Sequence, residues 1–63
     1  MGKKDHEQFA DMLIKLINEN KGDHEKLMLL YEIEKKVVDI FYKDNNNFDV
    51  EKWDLYIFNG LKN

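Results

Sequence analysis

The 63-residue chain contains no Ser, Thr, Cys, Arg or Pro. Without Ser, Thr or Cys it lacks the common nucleophiles of hydrolases and transferases. Without Arg it lacks the planar fork that reads guanine edges and clamps phosphate bidentately. The absence of Cys rules out a disulfide staple. Long apolar runs are missing as well: the longest extends from Leu27 to Tyr31, far short of the roughly 20 residues that span a bilayer. The chain shows no secretory pattern and reads as cytoplasmic. Met1-Gly2 suggests myristoylation, but position 6 holds His6 where Ser or Thr is required. The expectation is a protein that acts by touching something, with no enzymatic activity and no cofactor.

What is present is Lys, Asp, Glu, Asn and many apolar side chains. Apolar residues make up 43% of the chain and aromatics 13%, which argues against disorder. A domain of this size buries only about 60% of its unfolded surface, so self-association is an obvious source of further burial. The net charge of −3 is uneven. Residues 1–43 hold eight Lys against nine acids, whereas residues 44–59 hold Asp44, Asp49, Glu51 and Asp54 against Lys52 alone. Phe48, Trp53, Tyr56 and Phe58 share that acidic stretch.

Periodicity predicts three helices and an all-α, three-helix domain. Asp5 followed by Gln8 is a capping-box pattern. Phe9, Met12, Leu13, Leu16 and Ile17 then recur at helical spacing, giving a first helix over 5–20. Asn20 and Gly22 suit a left-handed terminus. Asp23 reads as the N-cap of a second helix, with the segment set at 23–43. Its apolar residues (Leu27, Leu30, Tyr31, Ile33, Val37, Val38, Ile40 and Phe41) cover more than half the cylinder. That breadth predicts a central helix, covered by both others or by a second chain. Glu32–Lys36 and Asp39–Lys43 have the spacing of intrahelical ion pairs. Residues 44–47 form a turn. Asp49 then caps a third helix over 49–61, with Phe48 and Trp53 as a hydrophobic staple.

Most chemistry fails on spacing. Read as a calcium loop from Asp44, the chain places Phe48, Asp49 and Leu55 where an oxygen ligand, Gly and Glu are needed. His6 and His24 each sit beside a Glu, but neither has the companions of a zinc site. No metal is therefore expected, and both histidines read as exposed residues at helix starts. Glu34 is the one acid inside the apolar arc of the second helix, where it reads as a rim residue.

The third helix carries more apolar residues than one core face can use. With Val50, Trp53, Tyr56, Ile57 and Leu61 inward, Leu55 falls on the far side and Phe58 near the edge, among Glu51, Asp54 and Lys62. Aromatic anchors ringed by charge describe a protein-binding patch. The candidate partner-binding residues are Phe48, Asp49, Glu51, Asp54, Leu55 and Phe58. The expected function is a small acidic interaction module that binds and inhibits a larger intracellular protein. A nucleic-acid-binding enzyme is one such target, with the acids occupying a groove built for phosphate. Size and composition fit a phage or mobile-element inhibitor of host or defence machinery, by analogy only. A homodimer closed through the second or third helix is the competing use of the surplus surface. The alternative function is a helix-turn-helix-like DNA-binding regulator, opposed by the acidic exterior of the third helix. Neither direct nucleic-acid binding nor membrane association is expected.

Overall fold

In the computed structural model, which describes residues 2–62, three helices run up, down and up: α1 (Lys3–Glu19), α2 (His24–Asp44) and α3 (Val50–Gly60). No strand occurs among the described residues. Asp23 and Asp49 cap α2 and α3 as expected, each accepting at 3.1 Å from the backbone N–H three residues on, of Lys26 and Lys52. Asp5 acts from a different place. The helix begins at Lys3 with Gly2 as N-cap, and Asp5, three residues inside, accepts from the Gly2 N–H at 3.1 Å. Its carboxylate thus favours the start from within the first turn.

The turns also differ from expectation. No described residue has a positive φ, so neither Asn20 nor Gly22 is left-handed. Instead the Asn20 side-chain amide donates to Leu16 O at 2.7 Å and its backbone N–H to Ile17 O at 3.1 Å. These bonds satisfy carbonyls that the helix end leaves open. In the second turn, Asn45 Oδ1 accepts from the Asn47 N–H at 2.9 Å, an Asx turn that reverses the chain.

The core is Ala10, Leu13 and Ile17 of α1, Leu30, Val37 and Phe41 of α2, Phe48 of the turn, and Trp53 and Ile57 of α3. Phe41 is wholly buried, and the rings of His6, Phe9, Phe48 and Trp53 surround it at centroid distances of 4.2–5.5 Å. The Phe48–Trp53 staple forms, with ring centroids 6.1 Å apart.

The central helix is α1, not α2. Both other helices pack against α1, whereas α2 and α3 approach each other far less closely. The reason lies in loop placement and one close approach. A short turn folds α2 back on one flank of α1, and Gly60 lets α3 settle on the other. Part of the broad apolar arc of α2 therefore stays uncovered: Tyr31, Ile33 and Ile40 are exposed, as is the adjoining Leu29 at 62%. Glu32–Lys36 and Asp39–Lys43 do not close as ion pairs; among the described residues the one ion pair is Lys26–Asp23, at 3.7 Å.

Candidate functional site

α3 is aimed by polar contacts to α1 that run in register along the two parallel helices. Trp53 Nε1 donates to His6 O at 2.8 Å, and Tyr56 Oη donates to Asp11 Oδ1 at 2.8 Å. Further along, Asn18 is a clamp: its amide donates to Gly60 O at 3.1 Å and its Oδ1 accepts from the Lys62 N–H at 2.9 Å. Trp53 and Ile57 then point inward, and the opposite strip of α3 must face solvent.

That strip is Glu51, Leu55 and Phe58, at the i, i+4, i+7 spacing of one helical face, with Lys62 just beyond the helix end. Leu55 is 58% exposed and Phe58 71%, the highest value among the large apolar residues. Glu51 is exposed beside them. The remaining candidates are placed otherwise. Phe48 is a correction: it is buried, because as the staple it packs on Phe41, Tyr42 and Trp53, and it has little surface to offer a partner. Asp49 is exposed, but one carboxylate oxygen is engaged as the α3 cap. Tyr56, expected inward, is 40% exposed and lies along the α1 seam through Asp11. That bond raises the Tyr56 pKa above its ordinary value, since a carboxylate acceptor stabilises the phenol's proton.

Asp54 leaves the strip for the α2–α3 junction, where it meets Glu34. Burial raises the Glu34 pKa, and the Asp54 carboxylate adds to this through its charge and a carboxyl–carboxylate hydrogen bond. Glu34 thus holds its proton more readily than an isolated glutamate would. Glu34 is therefore more than a rim residue. Nothing in its own helix signals this, because the neighbour comes from α3.

Two clefts flank the strip. One, about 420 Å³, lies between the far end of α1, the start of α2 and the end of α3, and Tyr31 and Phe58 line it. The other, about 300 Å³, lies by His6, Phe48, Trp53 and Tyr56. His6 is the residue that sequence reasoning misplaced. Its ring stacks into the aromatic core, 4.2 Å from Phe41 and 4.9 Å from Phe48, and its Nε2 is buried without a hydrogen-bond partner among the described residues. No group of three or more metal-ligating side chains occurs among the described residues. No described helix is long and apolar enough to cross a membrane.

Comparison with protein-family models, with curated proteins and with solved structures gives no match for this chain.

Proposed function

We propose that the protein is an interaction module that docks Leu55 and Phe58 of α3 into an apolar recess of a larger protein and modulates it. The observation that carries this reading is the exposure of those two side chains on a helix that already buries a separate face. A helix with one core face and a second apolar strip fits helix-in-groove recognition. Glu51 on the strip, with Asp54 turned toward Glu34 nearby, favours a recess rimmed by basic residues. A protein groove that normally takes nucleic acid has that chemistry, and an acidic domain seated there would block it. Inhibition follows from occupancy alone and needs no catalytic group.

The third helix weighs against the DNA-binding alternative, since it and the residues just after it offer only Lys52 and Lys62 where a recognition helix needs several bond-donating contacts to base edges. The test is affinity capture from the native cell, with wild type, Phe58→Ala and the Glu51→Lys/Asp54→Lys variant compared at matched helicity. A partner retained by wild type and lost by both variants supports the docking face. Capture undiminished by either variant refutes it. Salt-sensitive retardation of duplex DNA by the wild type would replace this reading with the regulator.

A further inference from the structure

We infer that the uncovered stripe of α2 is a homodimer interface in which two copies of α2 pack antiparallel. This surface is separate from the α3 strip, and the inference does not depend on how that strip is used.

Leu29, Ile33, Lys36 and Ile40 recur at i, i+4, i+7 and i+11 on α2, the a/d spacing of a two-helix seam. Leu29, Ile33 and Ile40 are exposed, so this seam has no cover within the chain. It adjoins the buried face of α2 but points away from α3, whose contacts come from the Glu34 side. On α1, Phe9 is 39% exposed and packs its ring 5.5 Å from that of Phe41 of α2. A standard interface takes about 800 Å² from each partner, roughly a sixth of the 4949 Å² this chain exposes.

The charges beside the seam identify the occupant as a second copy and set its direction. One flank carries Glu25 and Glu32 in the first half of α2, then Lys36 and Lys43 with Asp39 between them in the second. Among the described residues, Glu25, Glu32, Lys36 and Lys43 make no ion pair. A two-fold axis perpendicular to the helices brings this flank against itself in reverse order. Glu25 of one copy then meets Lys43 of the other, and Glu32 meets Lys36, each contact occurring twice. The same register sets Leu29 against Ile40 and lays the Lys36 stem over Ile33, with its ammonium reaching outward to Glu32. Apolar layers and charge pairs thus agree on one antiparallel alignment. α2, at 21 residues the longest helix, runs the length of the 35 Å molecule and presents the whole seam.

Sedimentation equilibrium of the full chain up to about 0.5 mM, a range that resolves even weak pairing, tests this with circular dichroism as the folding control. Wild type is expected to dimerise. Leu29→Glu, at a position that contributes nothing to the core, should weaken the dimer at least ~10-fold, because two apolar layers are lost per pair. Lys36→Glu should also weaken it, by setting like charges together at two symmetric places. Adding Glu32→Lys to Lys36→Glu should restore the dimer, since both pairs re-form with signs exchanged. A wild type that stays monomeric throughout overturns the proposal. So does a dimer that tolerates Leu29→Glu, or one that the double reversal fails to restore.

Discussion

The close approach of α3 to α1 at Gly60 decides where the docking strip points, and it can be tested by adding one methyl group. A Cβ built on Gly60 would lie 2.5 Å from Ile14 Cδ1 and 3.1 Å from both Ile14 Cγ1 and Cγ2. The Cδ1 end could rotate away, but the two γ carbons sit on a β-branched residue whose first torsion is stiff. Overpacking of this kind costs about 1–3 kcal/mol. Against it stands the helix-propensity gain of Gly→Ala, at most about 1 kcal/mol and less at a terminal position. The net expectation for Gly60→Ala is a loss of about 1–2 kcal/mol, or a fall in Tm of about 4–16 °C for a domain this small. The physical claim lives in the pair, so the decisive measurement is a cycle with Ile14→Val, which deletes the Cδ1 carbon and alone costs about 0.5–1.5 kcal/mol. Urea melts followed by circular dichroism should show the double variant more stable than the sum of the singles by about 0.5–1 kcal/mol. The Asn18 clamp on Gly60 and Lys62 should loosen in the single variant, seen as faster amide exchange at Lys62. Gly60→Ala with unchanged or raised stability, or strict additivity with Ile14→Val, would refute the close packing of α3 on α1.

Two further outcomes follow from the half-buried polar residues Glu34 and His6. Glu34 has a folded pKa above its ordinary value of 4.5, so its contribution is fully present below that pH and is lost as pH rises through the folded value. Glu34→Gln should therefore raise Tm at neutral pH, with the gain shrinking toward zero below about pH 4.5; a gain independent of pH would show that ionisation of Glu34 is not the cause. His6→Phe removes the unpartnered Nε2 while keeping a ring beside Phe41, and the backbone carbonyl that Trp53 uses is untouched. Stability should hold or rise by about 1 kcal/mol in thermal melts, and a clear loss would mean that the imidazole nitrogen is satisfied in solution.

The three helices were legible because their signals are local. Asp23 and Asp49 announce caps through side chains that reach backbone N–H groups within one turn, and the staple of Phe48 and Trp53 needs only sequence neighbours. The exposure of Leu55 and Phe58 followed from angular position, since a helix with Trp53 and Ile57 inward has to turn Leu55 out. Two local readings failed, Asp5 as the α1 N-cap and a left-handed Asn20 or Gly22, and the other failures were long-range. The arc of α2 is wide enough to suggest a central helix, yet its pattern cannot say which neighbours will come. His6 looks like any polar residue at a helix start until Phe41 and Phe48 arrive from distant positions. Phe48 carries two readings, anchor and staple, and only packing chose between them.

The sequence by itself determined three amphipathic helices, the N-caps of the second and third, a chemistry without nucleophilic hydroxyls or thiols, and an acidic third helix with apolar residues to spare. Those properties depend on residue type and on spacing within a few turns, which the chain carries wherever it folds. The tertiary structure decided that α1 is the centre, that Glu34 meets Asp54, that His6 joins the aromatic core, and that α2 keeps an open stripe. Each of these depends on which faces meet, and that is set by turn geometry and by the one position, Gly60, where a missing side chain lets two helices close.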